Sequence, residues 1–152
     1  MALVLLFSCK SKTALNFNEK IISIEKSLTA DITATETNVL RYFENQQYDS
    51  AAAASTKMES LVDAKLKEMQ AVETPDVKEG ENLKKAAVRY FAYLKSIYTS
   101  YKEYSTQTTE EARETARQNL VKIANGKDDA IKDIQAAQKK YAEANGFRME
   151  NQ

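Results

Sequence analysis

The chain has 152 residues, enough for one domain, and its 22 basic and 22 acidic side chains cancel to a net charge of zero. Three glycines and one proline cannot supply many tight turns, which disfavours an all-β sandwich or barrel. The absence of histidine excludes serine–histidine and cysteine–histidine catalysis, a single cysteine excludes an intramolecular disulfide, and the balanced charge argues against nucleic acid as a partner.

The N-terminal segment combines an apolar run with the only cysteine of the chain. The run ends at Phe7, Ser8 and Cys9 follow it, and the chain turns polar at Lys10. Leu6 and Ser8 stand three residues and one residue before the cysteine, so that Leu6-Phe7-Ser8-Cys9 resembles the lipobox of a bacterial lipoprotein signal peptide. The alternative is an apolar terminus that is not processed.

The resemblance implies a membrane anchor. Residues 1–8 would be the remnant of the signal peptide, acyl chains on Cys9 would insert into the membrane, and residues 9–15 would be a tether. Related lipoproteins of the outer face often carry acidic residues after the cysteine, whereas this chain has Lys10 and Lys12. The resemblance therefore implies the bacterial cell envelope, at the periplasm-facing side of the outer membrane.

Two long helices are predicted next, over about Phe17–Asn45 and Ser50–Val72. Asn16 and Glu19 form a capping box before the first helix, and Asp49 or Ser50 can cap the second. Apolar residues follow helical spacing in both segments: Phe17, Ile21, Ile24, Leu28, Ile32, Val39 and Tyr42 in the first, and Met58, Leu61, Val62, Leu66, Met69 and Val72 in the second.

A third helix is predicted to begin near Pro75, with Thr74 or alternatively Asp76 as its N-cap. Its apolar positions repeat with alternating spacings of four and three, which predicts a heptad seam that Phe91 and Tyr98 widen on one side. The seam consists of Leu83, Ala87, Tyr90, Leu94, Ile97, Tyr101 and Tyr104.

A fourth helix is predicted to start at a capping box of Thr108 and Glu111. Asn125-Gly126 either bends this helix or splits it, and a bend is preferred because the apolar register continues across it. Lys127 occupies one position of that apolar stripe, where a lysine is expected to reach solvent with its ammonium group. Asn145-Gly146-Phe147 predicts a Schellman motif at the helix end.

These elements predict an all-α fold, an antiparallel up-down-up-down four-helix bundle. Short connections between long helices favour antiparallel neighbours. The bundle is expected over residues 16–147, with residues 148–152 as a tail.

Tyrosines concentrate on the third predicted helix and are the candidate ligand contacts: Tyr90, Tyr93, Tyr98, Tyr101 and Tyr104. They either line a ligand pocket in one half of the bundle or fill its core with their hydroxyls turned to solvent. No catalytic residue, metal site or cofactor is expected. The acidic groups near Glu111 and Asp128 are expected to complement helix dipoles and basic neighbours rather than to bind calcium or magnesium.

As a whole the chain resembles small bacterial lipoproteins whose helical-bundle domain has no assigned activity. The resemblance implies a membrane-anchored protein, not an enzyme, that acts as a binding or structural bundle. Its expected partners are the membrane, through the acyl chains on Cys9, and a protein or small ligand of unknown identity. The alternative is a small-ligand-binding or sensor-type bundle that uses the tyrosine-rich pocket.

Overall fold

The computed structural model describes the backbone of residues 5–148 and the side chains of residues 10–148. Within this range the fold is all-α, as predicted, and four helical elements pack together. The fourth element consists of two helices. The helices are α1 (Leu5–Glu44), α2 (Tyr48–Ala71), α3 (Gly80–Thr106), α4 (Glu110–Ala124) and α5 (Lys127–Asn145).

The helix α3 is central to the fold because it contacts each of the other four helices. Its buried residues include four heptad positions and the two residues that widen the seam: Leu83, Ala87, Leu94, Ile97, Phe91 and Tyr98. The heptad spacing of this helix is therefore confirmed. Full burial of each large apolar side chain contributes about 1.5–3 kcal/mol, so this seam supplies much of the driving force for folding.

The predicted stripes of α1 and α2 also lie mostly in the core or at its edge, with one exception. Leu61 is 36% exposed, whereas its neighbour Val62 is fully buried. Consecutive residues of a helix point about 100° apart, so only one of two adjacent apolar residues can face the core directly.

The start of α1 differs from the prediction. The helix begins at Leu5, so Asn16 is not its N-cap, and the residues expected to form a tether are helical. The Tyr141 hydroxyl of α5 donates to the Ala14 carbonyl oxygen at 3.0 Å, and the rings of Phe17 and Tyr141 lie 5.9 Å apart. Packing against α5 therefore supports this part of α1, which local cap signals did not predict.

The start of α2 lies two residues before the predicted position. Asp49 and Ser50 occupy its first turn, and the N-cap residue is Gln47. The preceding Gln46 has φ 56°, in the left-handed region, and this residue reverses the chain directly after α1. The next helix can therefore begin at Tyr48.

The start of α3 lies later than predicted. The N-cap residue is Glu79, with φ 60°, and the helix begins at Gly80. Pro75 is therefore not the first helical residue, and neither Thr74 nor Asp76 caps the helix.

The connection between α2 and α3 has its own packing. The Val77 N–H donates to the Pro75 carbonyl oxygen at 2.8 Å, and the Val77 side chain packs against the core. A Cβ atom on Gly80 would lie 2.9 Å from the Thr74 methyl group, so the start of α3 approaches this segment too closely for a larger residue. Residues 72–79 therefore form a closely packed connection between α2 and α3.

The fourth element is split, not bent as preferred. The helix α4 ends at Ala124 and α5 begins at Lys127. Both Asn125 and Gly126 keep right-handed backbone angles, so the break is local. The N-cap of α4 is Thr109, whose hydroxyl accepts from the Ala112 N–H at 3.2 Å, and not the adjacent Thr108.

The end of α5 confirms the predicted Schellman motif. Gly146 has φ 74°, which a glycine adopts without strain. Phe147 N–H donates to the Ala142 carbonyl oxygen at 3.1 Å, and Gly146 N–H donates to that of Glu143 at 3.4 Å. The Phe147 ring packs 5.8 Å from that of Tyr141, which closes the apolar contact of the motif.

Candidate functional site

A cavity of about 170 Å³, which we name the tyrosine groove, lies where α1, α3, α4 and α5 meet. Its lining is mainly apolar and phenolic, with one acidic and one basic residue. It consists of Glu36, Leu40, Tyr93, Ile97, Tyr101, Leu120, Ile123, Ala124 and Lys127.

The groove forms because three of its lining residues are regularly spaced along α3 and because α4 packs loosely. Tyr93, Ile97 and Tyr101 lie four residues apart and therefore share one face of α3. None of the residues of α4 is buried, although Leu120 and Ile123 face the groove. The apolar side of α4 is therefore only partly covered.

The break between α4 and α5 is fixed at the edge of the groove. The Tyr93 hydroxyl donates to the Ile123 carbonyl oxygen at 3.0 Å, and the Gly126 N–H donates to the same oxygen at 3.0 Å. In a continuous helix this oxygen would accept from the N–H of Lys127. A Cβ on Gly126 would lie 3.6 Å from the Tyr93 ring, so the small residue also leaves room for this tyrosine.

The charge of Glu36 affects the phenols around it. Burial, followed by the charge of Glu36, raises the pKa values of Tyr93, Tyr98 and Tyr101. Burial and the charge of Glu25 raise the pKa of Tyr90 to about 12, and Glu36 adds to this shift. All four phenols are therefore neutral at pH 7 and can donate or accept hydrogen bonds.

Only two of the five predicted ligand contacts lie in the groove, namely Tyr93 and Tyr101. Tyr98 is 1% exposed and packs 6.0 Å from the Tyr101 ring. Its hydroxyl has no hydrogen-bond partner among the described residues. Tyr90 hydrogen-bonds Glu25, and Tyr104 packs 5.0 Å from Phe43 at the end of α1. Ligand contact stays a prediction for the five.

Sequence reasoning missed Glu36 and Leu40 as lining residues. The signal was present, because Glu36 lies four residues after Ile32 and therefore interrupts the apolar stripe of α1. Lys127, which interrupts the stripe of the fourth element, lies in the lining and is exposed, as a solvated lysine should be. Both interruptions meet at the same groove.

A wider depression of about 860 Å³ lies between the end of α3 and α4. Glu103, Gln107, Thr109, Glu111 and Thr115 line part of it, and it is largely open to solvent. Such a surface excludes little water from a ligand, so we place the candidate site in the smaller and more enclosed tyrosine groove.

The acidic residues of α4 engage basic and amide neighbours. Glu114 accepts from Arg117 at 2.7 Å, and this hydrogen bond is the largest cause that lowers the pKa of Glu114 to about 2. Arg113 instead lies over the Tyr48 ring, 4.3 Å from its centroid. Among the described residues, no group of three or more acidic or cysteine side chains could hold a metal ion.

Residues 1–4 and the side chain of Cys9 lie outside the part of the chain that the structure describes. Signal-peptide cleavage and acylation therefore stay predictions. None of the helices, over their described residues, is long and apolar enough to cross a membrane. Comparison with protein-family models, curated proteins and solved structures finds no match.

Proposed function

We propose that the chain is a lipid-anchored protein of the bacterial cell envelope whose helical bundle binds a partner or has a structural role. The observation that carries the proposal is the position of the only cysteine, Cys9, directly after an apolar run with Leu6 and Ser8 at lipobox positions. Acyl chains on Cys9 hold the protein to the membrane, at the periplasm-facing side of the outer membrane.

The bundle has an antiparallel up-down-up-down arrangement in this proposal. Contacts between α2 and α3 support it, because Glu59 pairs with Lys102 and Asp63 pairs with Lys95, so that residue numbers run in opposite directions. The hydrogen bond from Tyr141 near the end of α5 to the early part of α1 supports the same relation between the first and last elements.

The proposal assigns the bundle no catalytic activity. The chain contains no histidine, and burial raises the pKa values of the groove phenols Tyr93 and Tyr101. A phenol with a raised pKa is a poor general base at neutral pH. These properties favour binding over proton transfer.

The test is the intact mass of the protein extracted with detergent from its native cells. A species that begins at Cys9 and carries additional acyl mass supports the proposal, and the Cys9→Ser variant should remain unacylated and leave the membrane fraction. An unmodified chain that begins at Met1 would overturn the anchor and the envelope location together.

A second candidate function is the binding of a small ligand in the tyrosine groove. It is favoured by one observation: Tyr93 and Tyr101, predicted as ligand contacts, line the same partly enclosed cavity as Glu36. Tyrosine fluorescence should change on titration with ligands from a small-molecule library. Binding should be lost in Tyr101→Ala and kept in Tyr42→Ala, a half-buried tyrosine of α1 outside the groove lining. Equal responses of both variants would contradict this function.

A further inference from the structure

The tyrosine groove has a size and a lining that suit a small apolar group. Its volume is about 170 Å³, and an engineered apolar cavity of about 150 Å³ is known to hold benzene. Ile97, Leu120 and Ile123 supply apolar walls. A branched aliphatic or small aromatic side chain matches this space.

The groove lining also contributes one charge of each sign. Glu36 of α1 is half-buried, and Lys127 of α5 is exposed. Within the described residues, the two side chains form no ion pair with each other or with another residue. Both charges are therefore available to a ligand.

The surroundings of Glu36 suit an ammonium group. The carboxylate lines the same cavity as Tyr93 and Tyr101, and its charge acts on both phenols. A cation gains from a carboxylate through a charge-assisted hydrogen bond and from tyrosine faces through cation–π attraction. Lys127 offers the matching interaction to an anion.

We propose that the tyrosine groove binds an apolar α-amino acid as a zwitterion, with its ammonium group on Glu36, its carboxylate on Lys127 and its side chain between α3 and α4. This inference rests on the proposal that the groove binds a small ligand. A ligand without a cationic group would desolvate the half-buried Glu36 carboxylate without giving it a partner, which opposes binding, and a ligand without a carboxylate would forgo the interaction with Lys127.

Four probes of similar shape test the proposal on the full chain. These are L-leucine, 3-methylbutylamine, 4-methylpentanoate and 3-methylbutan-1-ol, and their dissociation constants are measured by NMR titration that follows the rings of Tyr93 and Tyr101. We expect L-leucine to bind at least tenfold more tightly than each of the other three. Equal affinities for all four probes would overturn the amino-acid assignment and leave the proposed small-ligand function intact.

Charge variants assign each half of the zwitterion. Glu36→Gln should weaken L-leucine and 3-methylbutylamine at least tenfold and should not weaken 4-methylpentanoate, whose carboxylate gains nothing from Glu36. Lys127→Gln should weaken L-leucine and 4-methylpentanoate and should not weaken 3-methylbutylamine, whose ammonium group gains nothing from Lys127. The matched control is Glu44→Gln, an exposed carboxylate of α1 outside the groove lining, which should change none of the affinities.

Two further outcomes overturn the proposal. If Glu36→Gln and Lys127→Gln fold but both leave L-leucine binding unchanged, the charges do not recognise the ligand. If none of the four probes shifts the Tyr93 and Tyr101 resonances, the amino-acid assignment fails, and the small-ligand function loses the support of this groove. If one variant fails to fold, the other still tests its own half of the zwitterion.

Discussion

Tyr98 and Tyr141 are both fully buried, but only one of their hydroxyl groups is satisfied. Tyr98 has no partner among the described residues, whereas Tyr141 donates to the Ala14 carbonyl oxygen at 3.0 Å. A buried hydroxyl without a hydrogen bond destabilises a fold by about 1–3 kcal/mol, and a satisfied one contributes about 1 kcal/mol.

We therefore expect opposite effects from the same chemical change. Tyr98→Phe should raise the free energy of unfolding by about 1 kcal/mol, because it removes an unsatisfied group without creating a large cavity. Tyr141→Phe should lower it by about 1 kcal/mol. Urea denaturation at pH 7 measures both. Equal destabilisation by the two changes would mean that Tyr98 has a partner, contrary to the structure.

Asp63 makes the stability of the fold depend on pH. Hydrogen bonds from Lys67 and then Lys95 lower its pKa to about 2, whereas the unfolded value is about 4. An acid whose pKa is lowered on folding stabilises the fold above its unfolded pKa, and this contribution is lost as the pH falls from about 4 towards 2.

Asp63→Asn should therefore be less stable than the parent chain at pH 7, and the difference should shrink as the pH falls towards 2. Urea unfolding of both chains between pH 7 and pH 2 measures it. Asp31→Asn, at an exposed position of α1, should follow the parent chain throughout. A difference for Asp63→Asn that stays constant with pH would contradict the ion-pair argument.

The residues of the tyrosine groove could be predicted from the sequence only in part. Tyr93 and Tyr101 were identifiable because aromatic residues concentrate on one helix. Glu36 left a weaker signal, since a single polar residue that interrupts an apolar stripe also occurs on a solvated edge of a helix. Which phenols share a cavity depends on how α4 lies against α3, and that packing has no local sequence signal.

At the scale of the element, periodicity predicted the long helices and several of their buried faces. Whether a helix end was predictable depended on whether local or tertiary contacts determine it. Gly146 and Phe147 satisfy backbone groups within their own turn, so the end of α5 was predictable. Gly80 begins α3 at a close approach to Thr74 that leaves no room for a Cβ, and α1 continues to Leu5 with the Ala14 carbonyl oxygen bound by Tyr141 of α5. Such ends are set by tertiary contacts.

The contact between Gly80 and Thr74 gives an element-scale prediction. A Cβ at Gly80 would lie 2.9 Å from the Thr74 methyl group, whereas one at Gly126 would meet its nearest atom at 3.3 Å. Gly80→Ala should therefore lower the free energy of unfolding by about 1–3 kcal/mol, the usual range for overpacking. Gly126→Ala should have a smaller effect.

A double variant isolates this contact. Thr74→Ser removes the methyl group and keeps the hydroxyl, so Gly80→Ala should destabilise a Thr74→Ser chain less than it destabilises the parent. The four chains form a double-mutant cycle measured by urea denaturation. Strict additivity would indicate that the loss of stability does not come from the clash between the new Cβ and the Thr74 methyl group.

At the scale of the whole molecule, the early start of α1 means that only a short helical segment separates the proposed anchor from the bundle. Cys9 and Ala14 are separated by about 8 Å along a helix, at a rise of 1.5 Å per residue. Lys10 lines a cavity together with Asp76 and Lys78 of the connection between α2 and α3. An acylated Cys9 would therefore hold this end of the bundle close to the membrane.

The opposite end should lie away from the bilayer. Gln47 precedes α2, which is 24 residues long, so it lies about 36 Å from the connection that contains Lys78.

Fluorescence quenching by the membrane tests this orientation. A fluorescent label is attached to Lys78→Cys or to Gln47→Cys, and the acylated protein is bound to vesicles whose lipid headgroups carry a nitroxide quencher. We expect strong quenching at position 78 and little at position 47. Unacylated Cys9→Ser versions should show little quenching at either position. Equal quenching of the two acylated proteins would contradict this orientation. It would indicate that the segment between Cys9 and Ala14 unwinds or detaches from the bundle at the membrane.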